Sequence, residues 1–260
     1  MLTIIVPVFN EEEVILNTCI ELFALTEELK SEKGIEVIFI DDGSTDNTNI
    51  LLQQAIQNAN VPVKVVVFER NYGKSAALTE GFKRAKGDVI ITMDADGQDD
   101  PKEIKKLLDK FQQKKVDVIC GYRKKRKDKL TKILVSKAYN WLNRIVFGLQ
   151  VHDSGCGLKL YKRVILSELK LKEGQHRFIL AILKYRGAKI DEVEVEHRKR
   201  GGGKSKYGIR RIPKGIKDLI ELKIELRKKR KTRECKEKNK VEVKIKEVIH
   251  NSVRFVSVLE

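Results

Sequence analysis

The sequence predicts an α/β fold with a mostly parallel central sheet flanked by helices. Three observations carry this. Over the first half of the chain, short β-branched apolar runs alternate with longer amphipathic segments, the pattern of successive βαβ units. The runs are apolar throughout instead of alternating, as strands covered on both faces must be. The polar clusters Asn10-Glu11, Asp41-Asp42 and Asp94–Asp96 each follow such a run, at the carboxyl ends of strands, where open parallel sheets hold their ligands.

Taken in order, Leu2–Val8 reads as a buried strand. A helix follows with Val14, Thr18, Leu22, Leu25 and Leu29 at helical spacing, Asn10 as its N-cap and three glutamates in its first turn. Ile35–Ile40 is a second strand, running into Asp41-Asp42-Gly43-Ser44, where Ser44 or Asp46 can cap a helix over about 47–59. Val63–Phe68 is a third strand, Ser75–Lys86 a helix closed by Gly87, and Asp88–Met93 a fourth strand. Beyond Pro101 come a helix to about Lys114, a strand at Val116–Cys120 and an amphipathic helix at Leu130–Phe147 carrying Trp141. A glycine-rich turn at Asp153–Gly157 precedes a short strand and another helix, and Ala188–Glu196 is a further strand. Ile209–Arg230 reads as a basic amphipathic helix, and residues beyond it as a charged tail. The expected division is a catalytic domain over 1–212, then helix and tail over 213–260.

Of 260 residues, 41% are hydrophobic, enough for a sizeable core, which excludes wholesale disorder. No apolar run approaches the roughly 20 residues of a spanning helix, and Met1 leads straight into a strand, without a basic segment before it. Cys19, Cys120, Cys156 and Cys235 form no CxxC pair, so reduced thiols in a cytoplasmic setting are expected. The net charge of +17 is concentrated. Residues 121–137 hold eight Lys/Arg against one Asp, 197–217 hold nine and no acid, and 227–260 hold twelve against five. Such blocks on an otherwise mildly acidic body point to a surface that meets phosphates.

Asp94-Ala95-Asp96 closes a strongly hydrophobic strand, so two carboxylates two residues apart can share one hard cation that grips a diphosphate; Gln98 can add a carbonyl oxygen. Asp41 and Asp42 can accept hydrogen bonds from a ribose or a base edge. Gly201-Gly202-Gly203-Lys204-Ser205 lacks the earlier glycine of a P-loop, which would fall at Arg198, and reads instead as a basic loop over a phosphate. No GxGxxG follows the first strand, which counts against a dinucleotide fold. His152, His176 and His197 stand alone, without metal-ligand spacing.

Together, Thr3–Glu11 (TIIVPVFNE), Asp41–Thr48 (DDGSTDNT), Asn71–Leu78 (NYGKSAAL) and Asp94–Pro101 (DADGQDDP) resemble family 2 glycosyltransferases of the GT-A fold, the fold of nucleotide-diphospho-sugar transferases. The later segments His152–Tyr161 (HDSGCGLKLY), His176–Phe178 (HRF) and His197–Tyr207 (HRKRGGGKSKY) resemble the polyprenyl-phosphate sugar transferases, the dolichol-phosphate mannose or glucose synthase group. The resemblance implies a metal-dependent, inverting hexosyl transfer from a nucleotide sugar of the GDP-mannose or UDP-glucose type to a polyprenyl or dolichyl phosphate, in building cell-envelope glycans. It implies Pro7, Phe9, Glu11, Asp41, Asp42, Asp94 and Ala95 against the nucleotide. Asp94, Asp96 and Gln98 would hold Mg²⁺ or Mn²⁺, and Arg123, Arg200, Ser205 and Lys206 the acceptor phosphate. Asp96, Asp153 and Arg200 are the catalytic candidates. Phe9 stands where a tyrosine is common and Cys156 where some relatives place Asp or Ser.

A lipid monophosphate is already substantially ionised at pH 7, so Asp153 serves better as an orienting residue than as an obligatory base. The basic blocks fit an anionic acceptor and an anionic leaflet, a peripheral enzyme at the inner membrane face, with the helix from Ile209 lying in the interface. Two other readings stand beside this one. One is a family 2 enzyme acting on a sugar or protein hydroxyl. The other is a non-catalytic nucleic-acid-binding protein, against which count 6% aromatic content and an intact Asp94/Asp96 pair.

Overall fold

The computed structural model describes residues 1–29, 34–124, 130–199, 201, 212–231 and 245–251. The four apolar runs at the start form β1 (Leu2–Val8), β2 (Ile35–Asp41), β3 (Val63–Phe68) and β4 (Val89–Thr92). They pair in parallel in the order β4-β1-β2-β3, with Val8 opposite Asp41 and Ile5 opposite Thr92. Between them run α1 (Ile15–Glu28), α2 (Thr48–Ala55) and α3 (Lys74–Arg84). Every residue of β2 is buried, as are Ile4, Ile5 and Val6 of β1. Each apolar side chain among them contributes about 1.5–3 kcal/mol relative to exposure.

The second half completes the sheet in mixed sense. After α4 (Ile104–Gln113) come β5 (Val118–Tyr122), α5 (Leu130–Phe147), β6 (Lys159–Lys162), the single turn α6 (Arg163–Leu166), α7 (Ile179–Tyr185), β7 (Ile190–Glu194), α8 (Ile212–Lys231) and β8 (Ile245–Asn251). The eight strands lie in the order β7-β5-β6-β4-β1-β2-β3-β8. β6 runs antiparallel to both β4 and β5, pairing Lys159 with Thr92 and with Cys120. This reversal positions the site: the start of β6 meets the ends of β4 and β5. The turn Asp153–Gly157 and the residue after β5, Arg123, thereby arrive at the edge where β1, β2 and β4 deliver their carboxylates.

The structure departs from the sequence reading at four places. The first helix starts at Ile15, not near Asn10, and has no acidic residue in its first turn. Asn10 is in the left-handed region (φ 51°) and its side chain is committed elsewhere, exchanging hydrogen bonds with Thr45 while its N–H donates to Ser44 Oγ. The strand expected at 116–120 lies two residues later. Within the expected charged tail, Ile245–Asn251 forms a strand antiparallel to β3. Finally, α8 packs Leu219, Leu222 and Leu226 into the body and leaves Ile220 and Ile224 outward, so part of the apolar face expected to lie in an interface is spent on the fold. Among the described residues no helix is long and apolar enough to cross a membrane.

Candidate active site

The site is a cleft along the carboxyl edge of β1, β2 and β4. One wall is the pair of loops after β1 and β2. Asp41 is fully buried and its Oδ1 accepts the Ser44 N–H at 2.9 Å. Gly43 takes φ +70°, and a Cβ there would lie 2.4 Å from the Arg70 carbonyl carbon, so only glycine lets the two loops touch. Glu11 N–H donates to Thr48 Oγ1 at 2.9 Å, and the Glu12 carboxylate accepts from Asn47 N–H at 3.1 Å, which satisfies the start of α2. Asp46 accepts from Thr48 N–H and Oγ1; Ser44 instead serves Asn10. Pro7 and Phe9 are half-buried beside this wall and Glu11 is buried.

Asp42 has a different local task. Its carboxylate accepts from Tyr72 N–H (2.7 Å), Gly73 N–H (2.9 Å) and Asn71 Nδ2 (3.1 Å), clamping the loop that opens α3. That loop sets Lys74 at the head of α3, and the Lys74 ammonium donates to Asp94 Oδ1.

The floor is the turn after β4. Asp94 and Asp96 are half-buried, and Asp96 Oδ1 accepts the Gln98 N–H at 3.1 Å. Ala95 is buried, its carbonyl accepting from Thr18 Oγ1 at 3.3 Å. Asp99, also buried, accepts the Asp94 N–H at 3.0 Å. Burial and the neighbouring Asp94 carboxylate push Asp99 up to about 7. Burial alone would raise Asp94 as well, but the Lys74 ammonium, with Lys159 and Arg123 behind it, holds it below the usual carboxylate range. The main-chain carbonyl of Gln98 is taken by Arg198 N–H at 3.0 Å, and Asp99 bridges His197, so the start of the second basic block is sewn to this turn.

The far wall comes from β5 and the turn before β6. Arg123 grips Asp153 bidentately, Nε to Oδ2 at 2.6 Å and Nη2 to Oδ1 at 3.1 Å, with both side chains largely buried. Cys156 is fully buried, and burial together with Asp99 pushes its thiol well up, so it stays protonated and is no nucleophile. Gly157 lies directly under the carboxylates: a Cβ there would fall 2.5 Å from Asp94 Cγ and 2.6 Å from Asp99 Oδ2. Between this wall and α5 opens a cavity of about 610 Å³, lined by Arg123, Lys124, Lys137, Trp141, Arg144 and Asp153 among others.

The structure therefore brings together Asp94, Asp96, Gln98, Arg123 and Asp153, and sets Pro7, Phe9, Glu11, Asp41 and Asp42 along one wall. Arg200, Ser205 and Lys206 lie outside the described residues. Sequence reasoning missed Lys74, Asp99 and Gly157. Lys74 stands in the quoted NYGKSAAL segment, directly after the glycine that opens α3, and that position was the available signal. Arg177, within the quoted HRF segment, pairs with Asp218 of α8 at 2.7 Å.

His176 closes the back of the cleft, its Nδ1 3.0 Å from Ser75 Oγ. Burial, then the cations Lys74 and Arg177, lower it to about 3. A folded-state value below the unfolded 6.5 means that the unfolded chain takes up the proton first. Stability should thus be lost as pH falls from about 6.5 toward 3, at up to about 1.4 kcal/mol per pH unit. Denaturant titrations at pH 7, 6 and 5 measure that slope, and His176→Gln should flatten it; an unchanged slope would refute the assignment.

A divalent cation is tested by the donor set. Asp94 and Asp96 offer hard oxygen donors on one turn, and Asp99, buried behind them, holds the Asp94 N–H. Among the described residues no three His, Cys, Asp or Glu side chains close on one point. The residues therefore fit a cation held by two carboxylates, with its remaining coordination left to diphosphate and water.

The profile of glycosyl transferase family 2 matches residues 3–170. The chain is 35% identical over 231 residues to a dodecaprenyl-phosphate galacturonate synthase of Rhizobium johnstonii, covering 88% of this chain and 68% of that protein. It is 34% identical over 218 residues to an undecaprenyl-phosphate 4-deoxy-4-formamido-L-arabinose transferase of Pseudomonas syringae, covering 84% and 64%. The chain thus spans about two thirds of the length of these curated relatives. In three dimensions it is similar to glucosyl-3-phosphoglycerate synthase of Mycobacterium tuberculosis, solved with Mn²⁺, UDP and glucosyl-3-phosphoglycerate, with a TM-score of 0.67 at 19% identity over 87% of this chain and 79% of that one. This likeness shows the GT-A-like fold. By profile and by identity to its relatives, the chain belongs to glycosyl transferase family 2.

Proposed function

We propose that the chain transfers a sugar from a nucleotide sugar to a polyprenyl phosphate at a membrane surface, with inversion at the anomeric carbon. The observation that carries this reading is the cavity of about 610 Å³ beside the carboxylate turn. It combines Arg123, Lys124, Lys137 and Arg144 with the apolar flanks of Trp141 and Ile133, the lining an amphiphile with an anionic head requires. The two curated relatives, named for transfer to dodecaprenyl or undecaprenyl phosphate, support the acceptor class.

The nucleotide lies along the wall of Pro7, Phe9, Glu11 and Asp41, with Asp42 acting through the Asn71–Gly73 loop that it clamps. Asp94 and Asp96, with Gln98, hold Mg²⁺ or Mn²⁺, which when bound neutralises charge on the departing diphosphate. Arg123 holds the acceptor phosphate, and the bidentate Asp153 fixes the plane of its guanidinium. Asp153 is on this account a positioning residue. The phosphate oxygen is ionised already and needs no base.

The outer face of α5 supports a membrane surface as the working place. Leu134, Trp141 and Ile145 are exposed on one stripe, flanked by exposed Lys137 and Arg144, and no acidic residue occurs along the helix. Cations of this kind contribute about 1 kcal/mol each near an anionic leaflet. α5 is the interfacial element on this reading, because α8 has spent Leu219, Leu222 and Leu226 on packing. Lys137→Glu with Arg144→Glu should raise the KM for polyprenyl phosphate at least about tenfold and leave the KM for the nucleotide sugar within about twofold. An unchanged lipid KM would overturn this use of the cavity.

A further inference from the structure

Lys74 has no assigned role, yet its ammonium sits on one of the two carboxylates read above as cation ligands. The pair is half-buried: the Lys74 and Asp94 side chains keep 30% and 33% of their exposure, so it lies on the floor of the cleft with one side still reached by solutes. The backbone beneath Lys74 is fixed on both sides. Asp42 clamps the N–H groups of Tyr72 and Gly73, and Ser75 is held by His176, whose N–H donates to Ser75 Oγ at 3.1 Å. Only the four-carbon stem of Lys74 can move, so its ammonium pivots about a fixed point. An ammonium and a divalent cation cannot share Asp94 Oδ1. At contact distance a singly and a doubly charged cation repel strongly even in a well-screened cleft.

We infer that Lys74 is a built-in counter-ion that keeps Asp94 from loading a divalent cation until a nucleoside diphosphate arrives, and then transfers its ammonium to the diphosphate. Cation and nucleotide consequently bind with positive coupling, which by linkage is the same in either order of addition. Lys159, buried and committed to the Cys156 carbonyl, and Arg123, committed to Asp153, are not free to exchange partners in this way. The inference rests on the reading that Asp94 and Asp96 hold the cation, and its test separates the two.

The test is Mn²⁺ binding, read from the electron paramagnetic resonance signal of the free aquo ion. It uses the full chain, alone and with UDP or GDP, against protein-free nucleotide blanks. Lys74→Met should bind Mn²⁺ alone at least tenfold more tightly than wild type and show a smaller gain on adding nucleotide, while Lys74→Arg should behave as wild type. Thermal unfolding confirms that each variant is folded, and Lys74→Leu serves in place of Lys74→Met if that variant is not. Equal Mn²⁺ affinity of folded wild type and Lys74→Met overturns the inference, and if both then load Mn²⁺ with nucleotide, the cation reading survives. Binding that never exceeds that of Asp96→Asn, in any arm, overturns both.

Discussion

Asp96→Asn should lower sugar transfer by at least about a thousandfold while changing stability by no more than about 0.5 kcal/mol. The asymmetry follows from where the side chain stands. Asp96 is half-buried at the rim of the turn after β4, and its described hydrogen bond, from Gln98 N–H to Oδ1 at 3.1 Å, needs only an oxygen acceptor, which asparagine keeps. What asparagine lacks is the negative charge that a cation on the departing diphosphate requires. Stabilisation of charge that develops in the transition state is the largest single contribution in reactions of this kind. Initial rates with saturating donor, set beside denaturant melts of the same preparations, decide it. Retained turnover in the variant would show that Asp96 does not serve the leaving group.

Gly157→Ala should cost about a hundredfold in kcat/KM, with a stability loss of about 1–3 kcal/mol. Its new methyl would lie 2.5 Å from Asp94 Cγ, 2.6 Å from Asp99 Oδ2 and 2.7 Å from Asp94 Oδ1. All three are side-chain atoms, so the fold survives and the carboxylates give way. A displacement of the order of 1 Å at a positioned charge is enough to account for the loss. Glycine brings no side chain of its own to a reactant, so the variant tests whether the placement of Asp94 matters. Kinetics of the variant answer this directly, and wild-type turnover would mean that the reacting groups lie elsewhere in the cleft.

Much of this site was legible before any coordinates. Buried parallel strands are continuous apolar runs, and the polar residues that follow them must line one edge of the sheet, so Asn10-Glu11, Asp41-Asp42 and Asp94–Asp96 could be grouped from their positions alone. Arg123, Asp153 and Gly157 join them through the antiparallel β6, a pairing that no local periodicity announces. Gly157 is then understood only as the neighbour of carboxylates some sixty residues away in the chain. Asn10 looked like a helix cap because its side chain suits that role. It serves instead to tie the β1 loop to the β2 loop, a long-range bond that outcompetes the local one. The two basic amphipathic helices were indistinguishable by pattern. Packing separates them, since α8 buries Leu219, Leu222 and Leu226 while α5 leaves Leu134, Trp141 and Ile145 outside. Asp42 and Asp153 are each engaged by neighbours of their own, Asp42 by a loop and Asp153 by Arg123, so each shapes the site through another group.

The central claim, transfer to a lipid phosphate, is tested most directly by partition. The purified chain is incubated with membrane-extracted polyprenyl phosphate, Mn²⁺ and, in parallel, labelled UDP-glucose, GDP-mannose or UDP-N-acetylglucosamine. The account predicts label in the organic phase from one of these donors, absent with Asp96→Asn. Label that appears only on water-soluble acceptors bearing hydroxyl groups, with none in the organic phase from any donor, would contradict it.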